Sequence, residues 1–125
     1  MDFLKSLKNS ILGLLESGSG STYTYKEVEE SRGKLNSNDV LEIIKPIIAE
    51  ENLSLSERQT LLNVYPPTLQ ENEETADRHW LVTVFYERLN GKLLTESERS
   101  IYFWIIVKDE SGEISEKIYA RQENK

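Results

Sequence analysis

Ile101-Tyr102-Phe103-Trp104-Ile105-Ile106-Val107 is the stretch whose reading decides the fold of this chain. It is the longest apolar run, far short of the roughly 20 residues that cross a bilayer, and its length suits a strand. Side chains alternate along a strand, so Ile101, Phe103, Ile105 and Val107 take one face and Tyr102, Trp104 and Ile106 the other. A strand apolar on both faces must be central and covered twice.

Working outward, Trp80, Val82, Val84 and Tyr86 alternate with Leu81, Thr83, Phe85 and Glu87, the period of a strand with one strongly apolar face. Asn90-Gly91 is a type I′ hairpin signal that returns the chain through Lys92, Leu93 and Leu94. Asp109-Glu110-Ser111-Gly112 turns the apolar strand into Ile114 to Ala120. The sequence therefore predicts an α+β fold: an antiparallel β-meander of three to five strands packed on one main helix, with a further helix tethered at the N-terminus.

The main helix is predicted at Asp39 to Glu51, with Ser37, Asn38 or Asp39 as N-cap and Val40, Leu41, Ile43, Ile44, Ile47 and Ile48 on its buried side. Pro46 lacks a backbone donor and predicts a kink or a restart. Leu53 to Tyr65 reads both ways: Ser56-Glu57-Arg58-Gln59 opens a helix, Thr60 to Tyr65 suits a strand, and the strand is preferred. Thr68 to Arg78 carries the acidic run Gln70-Glu71-Asn72-Glu73-Glu74 and predicts a solvated loop, while Thr22 to Lys26 predicts a short strand or extended arm. The helix followed by Leu-Ser-Leu at Asp39 to Leu55 resembles a stretch of phage single-strand annealing proteins of the ERF type. It covers under a fifth of the chain and lacks the rest of that family's core, so it transfers no function.

The N-terminal segment has its own logic. On a helical wheel Phe3, Leu4, Leu7, Ile11, Leu14 and Leu15 fall within an arc of roughly 120°, opposite Lys5, Lys8, Asn9 and Glu16. Residues 1–16 form a predicted amphipathic helix, Ser17-Gly18-Ser19-Gly20-Ser21 a flexible linker that is either native or engineered, and residues 22–125 a single α+β domain. If the junction is engineered, the helix is a fused partner peptide and the domain its receptor.

Composition narrows the function classes. The chain has 125 residues, with 15 Lys+Arg against 22 Asp+Glu for a net charge of −7, which disfavours nucleic acid as a partner. It has no cysteine and one histidine, so the residues predict no metal centre and a cytoplasmic protein. His79, with Asp77 two residues before it, lacks any accompanying nucleophile or oxyanion motif, and no phosphate-binding loop is present. The expectation is a non-catalytic, cofactor-free interaction or adaptor module. It would bind an amphipathic helix in an apolar groove, using Phe3, Leu7, Ile11 and Leu14 of the helix and Trp80, Val82, Tyr102, Trp104 and Ile106 of the domain. A partner protein or a second copy could bring the helix. The alternative is a peripheral membrane protein anchored by the same helix.

Overall fold

A computed structural model describes residues 25–120. The predicted helix at 1–16 and linker at 17–21 lie outside the described residues. The rest is α+β: one antiparallel sheet of seven strands and one long helix. The strands are β1 (Tyr25–Val28), β2 (Leu61–Val64), β3 (Thr68–Asn72), β4 (Arg78–Leu89), β5 (Lys92–Leu93), β6 (Ile101–Lys108) and β7 (Ile114–Tyr119), and the helix is α1 (Ser37–Leu55). The main path across the sheet runs β1-β3-β4-β6-β7, with β2 and β5 also pairing to β4.

Helix α1 begins on a reciprocal capping box. Asp39 N–H donates to Asn36 Oδ1 at 2.9 Å, and Asn36 N–H donates to Asp39 Oδ2 at 3.0 Å, so Asn36 is the cap and the helix starts earlier than predicted. It runs unbroken past Pro46, which sits on the exposed side. Val40, Ile44 and Leu55 are its buried anchors.

The ambiguous stretch Leu53 to Tyr65 uses both of its readings in turn. The helix persists to Leu55, a 3₁₀ turn occupies Ser56–Arg58, and Gln59 reverses the chain at φ 53°. Strand β2 follows. The outward N–H of Leu62 in β2 donates to Asn52 Oδ1 at 2.7 Å, and Asn52 Nδ2 donates back to the Leu62 carbonyl at 3.4 Å. A side chain of α1 thus takes the place of a missing strand neighbour on that edge.

Only the second part of the predicted loop is one: Glu73 to Asp77 form an exposed turn, whereas the first part is a strand. Thr68–Asn72 forms β3 between β1 and β4, with Leu69, Gln70, Glu71 and Asn72 all buried. Each polar residue there is engaged: Gln70 Nε2 donates to Thr68 Oγ1 at 3.0 Å, and Asn72 Oδ1 accepts from the N–H groups of Glu74 and Thr75. Glu71 pairs with Arg32 at 3.3 Å and Arg78 at 3.4 Å. The Asn90-Gly91 turn has φ 51° and 86°, the left-handed pair that a type I′ hairpin requires.

The sheet has two unlike faces. Trp80, Val82 and Val84 of β4 pair across with Val107, Ile105 and Phe103 of β6, and this helix face carries α1 and the larger cluster. On the far face Tyr25, Leu81, Trp104 and Ile106 form a second cluster, bordered by Ile101, Ile118 and Ala120. Strict alternation fails at one point. The β4-β6 register jumps from Val84↔Phe103 to Phe85↔Ile101, leaving Tyr102 as an extra residue. This bulge moves Tyr102 to the helix face and Ile101 to the far face, reversing both sequence assignments.

Candidate functional site

Three features of the described residues could serve a function: a charged cleft at one end of the sheet, an apolar groove beside α1, and the far face itself. The cleft, of about 470 Å³, is bordered by Lys34, Asp77, Arg78, His79, Lys108 and Asp109. Its charges are largely engaged. Arg78 pairs with Glu71, and Lys108 with Glu113 at 3.7 Å.

Asp109 is 3 % exposed and works as a clamp. Its Oδ1 accepts from Trp80 Nε1 at 2.8 Å and Leu35 N–H at 3.1 Å, and its Oδ2 from Lys34 N–H at 2.8 Å. Burial alone would raise its pKa. The three donors, together with the charge of Arg78, outweigh burial and hold the carboxyl below its usual range. Gly33 completes the clamp, because a Cβ there would stand 2.8 Å from Asp109 Oδ1 and 3.1 Å from the Leu35 carbonyl. The segment 33–36 is thereby pinned against the sheet where α1 begins. His79 opens on the far face, its ring 6.2 Å from that of Tyr25 in an edge-on arrangement.

The groove beside α1, of about 360 Å³, is lined by Leu41, Ile44, Ile48, Ala49, Asn52 and Val64. At the C-terminal end of α1, Tyr102 and Tyr119 donate their hydroxyls to the two oxygens of Glu51, at 3.1 and 3.3 Å. Lys117 approaches the same carboxylate at 3.8 Å. Burial first, then the bond to Glu51, pushes the Tyr102 hydroxyl up to about 12. This knot fastens the helix to β6 and β7. Among the described residues, no group of three or more His, Cys, Asp or Glu side chains could hold a metal ion. No helix among them is long and apolar enough to cross a membrane.

The residues expected to bind a partner divide between the faces. Trp80 and Val82, both 0 % exposed, are sealed in the cluster beneath α1, and the bulge draws Tyr102 to that side. Trp104 and Ile106 lie opposite. One groove containing all five is therefore not what the sheet presents, because its two sides are separated by the backbone of β4 and β6. Phe3, Leu7, Ile11 and Leu14 lie outside the described residues.

The far face is the most distinctive surface. Tyr25, Leu81 and Ile106 are 0–1 % exposed and Trp104 7 %, yet no residue of α1 belongs to their cluster. The strand expected at Thr22 to Lys26 includes Tyr25, but its place on the far face depends on pairing with β3, a segment whose acidic composition predicts a loop. The pairing of Tyr25 with Asn72 was the missing information. No family model matches the chain, and no characterised protein or solved structure does.

Proposed function

We propose that this chain is a non-catalytic protein-interaction module whose far sheet face receives an amphipathic helix. The occupant is its own segment Met1 to Glu16 in cis, or an equivalent helix of a partner in trans. The observation that carries the reading is the burial of Tyr25, Leu81 and Ile106 on a face that α1 does not touch. Apolar side chains excluded from water need a cover, and an apolar stripe on a short helix needs a seat.

Chain geometry supports the cis occupant. The described chain starts at Tyr25, itself a member of the far-face cluster, and the preceding residues 17–21 form a Ser/Gly tether. A tether this short gives the helix a high effective concentration at that face. Phe3, Leu7, Ile11 and Leu14 supply the i, i+4, i+8 and i+11 anchors, and Tyr25, Leu81, Trp104 and Ile106 supply the seat.

The test substitutes Leu7→Asp with Ile11→Asp in the full chain and follows tryptophan emission and acrylamide quenching. Trp80 stays in the helix-side core, so the change reports Trp104. The expected result is a red shift with increased quenching, reversed by saturating synthetic Met1 to Glu16 peptide. Unchanged quenching together with no saturable peptide binding would refute the proposal.

A further inference from the structure

We infer that two copies of this chain join edge to edge through β7, antiparallel about Ile118, into one continuous sheet. Among the described residues β7 ends the main path and pairs with β6 alone. The Ala120 N–H donates to the Tyr102 carbonyl at 3.0 Å, so Ala120, Ile118 and Glu116 turn their backbone groups towards β6, and Lys117 and Tyr119 turn theirs outward. Strand β2 shows how this fold closes an edge. Asn52 takes the N–H and carbonyl of Leu62, and Asn63 Oδ1 accepts from Val64 N–H at 2.8 Å. Among the described residues no side chain does this for the outward groups of Lys117 and Tyr119. An edge lysine ordinarily blunts such a strand by reaching into water. Lys117 instead folds back, its Nζ 3.8 Å from Glu51 and 5.4 Å above the Phe103 ring. Ile114 and Tyr119, the first and last residues of β7, are 37 % and 52 % exposed.

The residue order selects the occupant and its register. Opposed residues of antiparallel strands share a face, so a two-fold axis between two β7 strands must set one residue opposite itself. Centring on Glu116 or Lys117 puts like charges directly across, which is destabilising. Centring on Tyr119 pairs only residues 118–120 of the described chain, whereas centring on Ile118 pairs 116–120. That register sets Ile118 against Ile118 and matches the outward backbone of Lys117 with that of Tyr119 in both directions. It also brings each Lys117 ammonium to the exposed Tyr119 ring of the second copy. So short a pairing makes a reversible, concentration-dependent dimer. It runs through backbone at the rim of the sheet and uses none of Leu81, Trp104 or Ile106, so it goes beyond the helix reading and does not depend on it.

The experiment is site-directed cross-linking of the full chain, which contains no cysteine of its own. Ile118→Cys should give a disulfide-linked dimer under mild oxidation, because residues opposed at a non-hydrogen-bonded site have Cα atoms about 4.5 Å apart. Glu116→Cys, on the same face and more exposed, is the control. Its two copies lie about 13 Å apart along the strands, beyond disulfide reach, and should link at least about tenfold more slowly. Adding Lys117→Pro, which deletes an outward N–H, should suppress the Ile118→Cys link about tenfold. The link should persist when Leu7→Asp and Ile11→Asp are added, since the edge does not use the helix. No covalent dimer of Ile118→Cys, equal linking of Glu116→Cys, an unaffected Lys117→Pro variant, or loss of the link with Leu7→Asp and Ile11→Asp would overturn the inference. If Lys117→Pro does not fold, the comparison of Ile118→Cys with Glu116→Cys decides. The Trp104 quenching assay can fail without changing any of these outcomes, and a missing cross-link leaves the helix reading intact.

Discussion

Replacing Asp109 with Asn tests whether one buried carboxylate joins the start of α1 to the sheet. Asn keeps one oxygen, which can go on accepting from Trp80 Nε1 and Leu35 N–H, but it puts an amide NH₂ opposite Lys34 N–H. Losing that bond and stranding a shielded donor costs about 1–3 kcal/mol, and loss of charge on the remaining two adds about 1 kcal/mol. The expected destabilisation is about 2–4 kcal/mol, seen as a Tm lower by roughly 5–15 °C for a chain of this size. Urea unfolding at neutral pH should show the lower midpoint with an unchanged slope, since the surface exposed on unfolding is the same.

The acid side gives a second, signed readout. The folded carboxyl titrates below its usual 3.8, so its contribution is present above that value and is lost as pH falls through the lower, folded one. Asp109→Asn should lack this component, and the two stability curves should converge in acid. A variant within about 0.5 kcal/mol of the parent at neutral pH, or a gap that widens in acid, would refute the clamp.

Two further perturbations address the helix side of the sheet. Tyr102 titrates near 12 in the folded chain against an ordinary 10.0, so its stabilising contribution is intact below 10.0 and is lost as pH rises towards 12. Tyr102→Phe should remove an alkaline loss that the shift caps at about 2.7 kcal/mol and solvent screening of this partly exposed hydroxyl reduces to about 1 kcal/mol, read as the difference between urea midpoints of the two chains across that window. Asn52→Ala should cost about 1–3 kcal/mol by leaving the Leu62 N–H and carbonyl without their side-chain partner. Amide exchange at Leu62 should accelerate more than at Val82, and equal acceleration would mean that Asn52 does not guard that edge.

The fold class was legible because its strongest signals are local. The run Ile101 to Val107, the alternation from Trp80 to Glu87 and the Asn90-Gly91 turn each carry their instruction within a few residues. Strand β3 was illegible for the opposite reason. Gln70, Glu71 and Asn72 are tolerated inside only because Thr68, Arg32, Arg78 and the turn at 72–75 supply partners, and those are visible only once the sheet exists.

The candidate site suffered from a subtler effect. Alternation assigns Tyr102 to the side of Trp104, but one inserted residue reverses it, and no local residue type announces the bulge. Alternation did put Trp104 and Ile106 on one face, apart from the side that α1 covers. It did not foresee that Trp80 and Val82 would be walled off from them. Their spacing from β6 is set by register, which a single strand cannot reveal.

Strand β4 pairs with β2, β3, β5 and β6, so among the described residues only the β1-β3 and β6-β7 ladders are built without it. A sheet wired through one shared member has few separable parts. Removing Arg78–Leu89 from register breaks most of the hydrogen-bonded ladder at once, and the amides of Trp80 to Val84 should exchange only through global unfolding. The same strand presents Val82 to one side and Leu81 to the other, so its two surfaces share a single folding equilibrium. Whatever settles on one surface with free concentration [L] raises the resistance of the whole sheet by RT ln(1 + [L]/Kd). Protection of β4 is thus a general sensor for occupants of this protein, readable before any of them has been identified.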